Sequence, residues 1–268
     1  MRLPLPVASV LGIATARIIE SQEPLQPETA WHYPTVHESA IQARRILHLS
    51  TVGTLVTSFP NISSHNVYDE KPSNFGTMEA RPGDVAGSPI GLLEYYADCE
   101  PYTGNPTILA INIATPIKNH AAGSPISLHV RWWPTQKNTY LPSGYDAVGI
   151  PTPHTPAALP RFSLHGHLEP ISTVDLAKGL IPACFMHAHP DSAIWQPGSD
   201  VHESHYVRFV VEHVYWFGGF GDRARIGWLP IDEWRNVTMD EVAACRLPGE
   251  EIKGRKTWME WFGLKRDL

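Results

Sequence analysis

The stretch Tyr206 to Phe217 reads YVRFVVEHVYWF. Val207, Phe209, Val211, Tyr215 and Phe217 occupy alternate positions, and Arg208 and Glu212 fall on the others. Side chains on a strand point to opposite faces in turn, so this pattern predicts a long β-strand with one buried side. Working outward, six more runs have strand character: Gly53–Phe59, Ile90–Ala97, Thr107–Ala114, Ile126–Trp133, Phe162–Ile171 and Ile226–Leu229. Many short strands separated by turn signals predict a barrel or a sandwich.

The 268 residues are 43% hydrophobic, enough for one all-β domain with a single core. Nine Trp and nine Tyr favour strands over helices. The net charge is 21 − 27 = −6, without the clustered Lys and Arg that nucleic acid requires, so no nucleic-acid partner is expected. Helices are few. Thr35-Val36-His37-Glu38 has capping-box spacing, and Val36, Ala40, Ala43 and Leu47 then recur at helical intervals as far as Ser50. Ser172 to Asp175 opens a second helix that Gly179 stops. Pro182 opens a third, which Pro190 ends. Long loops are predicted over Pro60–Gly87 and Pro134–Pro160.

The N-terminus predicts export. Arg2 precedes an apolar stretch closed by Ala14-Thr15-Ala16, so residues 1–16 read as a signal peptide, too short for a membrane span. Residues 17–34 form a linker, 35–246 the folded domain, and 247–268 a charged tail carrying Trp258, Trp261 and Phe262. Asn61 and Asn236 both begin N-glycosylation sequons. Cys99, Cys184 and Cys245 allow one disulfide with one free thiol, or three buried thiols.

The order of these patches resembles the CREG family, glycoprotein relatives of the pyridoxamine phosphate oxidase-like split barrels. The capped helix carries Ala43-Arg44-Arg45 and leads into Gly53-Thr54-Leu55-Val56-Thr57. Leu164-His165-Gly166-His167-Leu168, then His189-Pro190 with Trp195 and Pro197, then Tyr215 to Phe220 with Pro230, Glu233, Trp234 and Asn236-Val237-Thr238 continue the resemblance over about residues 36–239. It implies a mainly β fold with a few helices: an antiparallel six-stranded split β-barrel of the FMN-binding type. It further implies a homodimer whose interface pocket holds FMN in the enzyme relatives, N-glycans, and residence outside the cell or in an endolysosomal or vacuolar compartment. The CREG branch itself implies a receptor-binding or regulatory glycoprotein with an obstructed flavin pocket. The two long loops depart from the family pattern.

The candidate cofactor residues are Thr115, Lys118 and Asn119, at a turn after the third strand-like run. Ser or Thr and Lys or Arg stand at such a turn in the FMN-binding relatives, where they hold the phosphate. The neighbouring strand offers Glu94 and no base, and a carboxylate there would repel a phosphate. His165 and His167 share a strand face and His187 and His189 end a helix, but no third ligand stands at a fixed spacing, so no metal residue is assigned. His202-Glu203-Ser204-His205 is one residue short of the zinc protease motif. Asp98 and Glu100 could do acid–base work or simply end a strand. No nucleophile motif is present, and no catalytic residue is assigned. The leading expectation is a dimeric binding or regulatory glycoprotein with a degenerate flavin site, a receptor or other protein as partner, and no cofactor. An FMN-dependent oxidoreductase is the second reading, and a haem or metal binder the third.

Overall fold

The protein is described from a computed structural model covering residues 32–60, 82, 84–134, 156–221 and 224–250. The predicted signal peptide, Asn61, Trp258, Trp261, Phe262 and most of the linker, the two long loops and the tail lie outside the described residues.

Helix α1 (Val36–Leu49) begins as its sequence requires. Thr35 Oγ1 accepts from the Glu38 N–H at 3.1 Å, and Glu38 accepts from the Thr35 N–H at 2.8 Å. Two of the four orphan N–H groups of a helix start are thereby engaged. Ala40, Ala43, Ile46 and Leu47 form its buried stripe.

Seven strands follow: β1 (Val52–Ser58), β2 (Pro89–Ala97), β3 (Thr107–Ile111), β4 (Ile126–Arg131), β5 (Arg161–Pro170), β6 (Ser204–Phe217) and β7 (Ile226–Leu229). Their order is β3-β2-β1-β4-β5-β6-β7, and β3 also pairs with β6. That last pairing closes six strands into an antiparallel barrel, with β7 as an outer extension. The expected mainly β fold is therefore observed. β3 stops at Ile111 rather than Ala114, because the Ala114 carbonyl already accepts from the Lys118 N–H and starts α2 (Thr115–Ala121). Helices α3 (Thr173–Lys178) and α4 (Ile181–Ala188) stand where the capping and proline signals placed them, and a 3-10 turn, Pro190–Trp195, continues after α4. Two short helices, α5 (Ile231–Asn236) and α6 (Met239–Ala244), pack with α1.

The strand that set the fold carries a correction. Val207, Phe209 and Val211 point inward as predicted, but Tyr215 and Phe217 do not. Gly166 pairs with Val211 and His165 with His213, so Glu212 is an extra residue in the ladder. This β-bulge shifts the alternation by one. Val214 and Trp216 are buried instead, and Tyr215 is 37% exposed. Gly166 is required there: a Cβ at this position would stand 1.9 Å from the Val210 carbonyl oxygen.

The main core gathers Leu55, Ile108, Leu128, Leu164, Phe209 and Trp216 inside the barrel, with Trp234 of α5. Each such side chain contributes roughly 1.5–3 kcal/mol on burial. Arg44 is also buried; its guanidinium donates to the carbonyls of Trp234 and Pro101 and lies over the Trp234 ring. A second cluster, with Leu109, Ile181, Phe185 and Tyr206, sits between β2–β3 and α4. A Cys99–Cys184 disulfide ties the exit of β2 to α4, and Cys245 is free.

Candidate functional site

Alternation sends one set of side chains into the barrel and the other to its outside. On the outside, strand register lines up a continuous row: Leu93, Thr54, His129, Ser163, Tyr215 and Trp228, each the cross-strand partner of the next. Beside it lie Arg131, Arg161, Phe217 and Ile226, again partner to partner. A groove of about 720 Å³ runs along these rows from Leu93 to Tyr215 and Phe217. Leu93, which lines it, is 67% exposed, and Trp228, the next residue of the row beyond it, is 61% exposed.

The outer face around the groove has a neutral side and a cationic side. His129 and His165 lie across β4 and β5, bonded to Ser127 (3.1 Å) and Ser163 (3.0 Å). Burial pushes His129 below the usual imidazole value, and the nearby His165 adds to this. Burial lowers His165 too, followed by the effect of His213. Both rings therefore favour the neutral form. The Trp228 ring packs on His165, His213 and Tyr215 at centroid distances of 5.4, 6.3 and 5.1 Å. On the other flank Arg131 and Arg161 are direct partners, an arrangement that costs free energy because like charges oppose. Each guanidinium lies over an aromatic ring, Arg131 over Trp133 and Arg161 over Phe217 at 3.8 Å. Among the described residues neither has a carboxylate partner. An anion entering the groove would meet both.

The residues expected to hold a cofactor stand elsewhere. Asn119 is fully buried and donates through Nδ2 to Thr57 Oγ1 at 3.1 Å, fastening α2 to β1. Thr115 and Lys118 are half-buried on the same seven-residue helix, and none of the three lines the groove. Asp98 and Glu100 are tied down: Asp98 to His48 at 2.9 Å, Glu100 through both oxygens to Arg208. His165 and His167 share the outer face as predicted, yet His167 pairs with Glu212. Among the described residues no group of three or more His, Cys, Asp or Glu is placed to hold a metal. Burial pushes the Cys245 thiol up to about 11, which keeps it protonated. Asn236 is exposed at the end of α5, and the Thr238 hydroxyl of its sequon caps α6. Among the described residues no helix is long and apolar enough to cross a membrane.

Arg131, Arg161 and Trp228 were absent from the expected site. Each could be seen as an outward position on a strand, but only pairing brings them together.

A family model described as "CREG, beta-barrel" matches residues 34–236. Solved structures of similar shape include a heme binding protein from Mycobacterium smegmatis (18% identity, 75% of this chain and 60% of that one, TM-score 0.48). A protein of unknown function from Agrobacterium tumefaciens matches at 17% identity over 70% of this chain and 58% of that one, with a TM-score of 0.44. A Clostridium acetobutylicum protein of the pyridoxinephosphate oxidase family matches at 9% identity over 68% and 89%, with a TM-score of 0.36. The chain spans about three-fifths of the length of the first two. No curated protein matches it.

Proposed function

The chain belongs to the CREG beta-barrel family, and from that premise we propose that it is a glycoprotein of the secretory pathway that acts as a homodimeric binding or regulatory module, secreted or held in an endolysosomal or vacuolar compartment. The observation that carries this reading is the outer row from Leu93 to Trp228. Large exposed apolar side chains, Leu93 and Trp228, end this row, with the polar Thr54, His129 and Ser163 between them and Tyr215 beside Trp228, a mixed surface of the kind that serves association. A second copy of the chain is the partner proposed for it, and a receptor would bind the resulting dimer. The Cys99–Cys184 disulfide supports an oxidising compartment, and the exposed Asn236 supports glycosylation. Asn61 is proposed as a second glycan site.

The flavin site is read as degenerate. Asn119 spends its amide on Thr57, and Glu94 stands on the strand where a phosphate site would want a base. One observation favours the FMN-dependent oxidoreductase as the second reading: Arg131 and Arg161, without a carboxylate partner among the described residues, in a groove of adequate volume, although Arg161 already donates to the carbonyls of Ala157 and Leu159. In that case FMN would supply the redox chemistry. The chain would hold the phosphate, through Arg131 and Arg161 or through Thr115 and Lys118.

Material secreted by a eukaryotic host decides between the readings. The first expects a gel shift on enzymatic deglycosylation, a dimer mass in light scattering that Trp228→Glu reduces to a monomer, and no flavin absorbance. A flavin spectrum, with occupancy lowered by Arg161→Ala or Lys118→Ala, would establish the second. A monomer without any deglycosylation shift would defeat the first.

A further inference from the structure

The barrel has one seam that is barely closed. β2 pairs with β1 from Pro89 to Tyr95, but only Tyr96 and Ala97 meet β3. Beyond them the two strands part. The Tyr96 N–H bonds to Thr51 on the β1 side, so the Tyr95 N–H points the opposite way, into the parting. There it has lost its ladder partner, and Glu94 Oε1 accepts from it instead at 3.1 Å.

A cleft of about 280 Å³ opens at this point, room for about nine waters at bulk density. The buried Phe185 and Leu109 line its inner side, and Tyr95 and Trp195 are half-buried walls. His189 stacks on Tyr95 at 4.1 Å and fixes the ring in the cleft wall. The charge around the cleft is negative. Asp191 accepts from the Tyr95 hydroxyl at 2.9 Å, and Glu94 has no cationic partner among the described residues. Burial pushes the Glu94 carboxyl up to about 7, against the opposing pull of the Tyr95 N–H.

A glutamine would accept the same hydrogen bond without a charge to desolvate. The acid gains over the amide only when a cation arrives. Two part-exposed aromatic rings and one carboxylate beside apolar side chains supply the chemistry that recognises an organic ammonium, through ring quadrupoles and a counter-ion. We propose that the β2–β3 cleft binds a small organic ammonium ion, with Glu94 as counter-ion, Tyr95 and Trp195 as the aromatic walls, and the buried Phe185 as the floor behind them. The cleft adjoins the outer groove at Leu93, which lines both, while Glu94, Tyr95 and Trp195 line the cleft alone.

The test is calorimetric titration of the full chain at pH 7 with choline and with its neutral isostere 3,3-dimethylbutan-1-ol. Choline should bind at least about tenfold more tightly than the alcohol. Binding should release about half a proton, read from buffers of different ionisation enthalpy, because the cation holds Glu94 ionised. Glu94→Gln should weaken choline by about tenfold and abolish the proton release. Equal affinities for choline and the alcohol, no choline binding at about 10 mM, or binding without proton release would each overturn the proposal. The wild-type proton release and the choline–alcohol comparison decide the matter even if the variant does not fold.

Discussion

The β5–β6 and β2–β3 seams belong to one barrel and behave in opposite ways. β5 and β6 pair along ten positions, and their single irregularity, the bulge opposite Gly166, is closely packed. β2 and β3 pair along two. Where the ladder is complete, backbone groups satisfy one another and side chains are free to pack or face out. Where it opens, a side chain must take over a backbone hydrogen bond, as Glu94 does, and space for a ligand appears beside it. Closure gives stability, and incomplete closure gives the fold a place for chemistry.

The largest expected effect strikes the open seam from outside. The Cys99–Cys184 bridge closes a separation of 85 residues and clamps α4 over the parting strands. The paired change Cys99→Ser with Cys184→Ser should lower unfolding stability by about 4 kcal/mol in denaturant titration. A loss below about 1 kcal/mol would mean that packing alone holds this seam. Next comes the closed seam. Gly166→Ala forces a methyl onto a backbone oxygen and should cost about 3 kcal/mol. A neutral result would mean that the bulge is pliable and the two seams less different than drawn here.

The smallest effect is pH-dependent. The folded-state pKa of Glu94 lies above its unfolded value, 4.5 against about 7, so the native state favours the protonated acid. The stability it contributes is complete below pH 4.5 and is lost as pH rises through about 7. Allowing for partial solvent contact, the loss is on the order of 2 kcal/mol. Thermal melts of wild type and Glu94→Gln should therefore diverge between pH 5 and 8, with the variant the more stable at the higher pH. Parallel curves would show that the carboxyl is not desolvated in the cleft.

Much of the fold was legible because its signals are local. The Thr35 and Ser172 caps, the stop at Gly179 and the period-two runs each depend on a few neighbouring residues, and all recur in the structure. The faces of β6 were legible only as far as Val211. The bulge that turns Tyr215 and Phe217 outward is a mismatch between two strands, and one strand read alone carries no trace of it. The candidate site was less legible still. The turn at Thr115 suggested an anion cradle from its residue types, whereas the two guanidiniums of the groove, Arg131 and Arg161, lie thirty positions apart and meet only through β4–β5 register.

The sequence by itself determined which segments are strands, where three of the helices (α1, α3 and α4) lie, and which family they resemble, because hydrophobic period and end-capping are short-range chemistry. Tertiary structure alone decided which outward side chains form one row, which two cysteines join, and that β2 and β3 separate above Tyr96. Those are outcomes of closing a twisted sheet on itself. Pairing between distant strands fixes them jointly, and no single segment encodes its share.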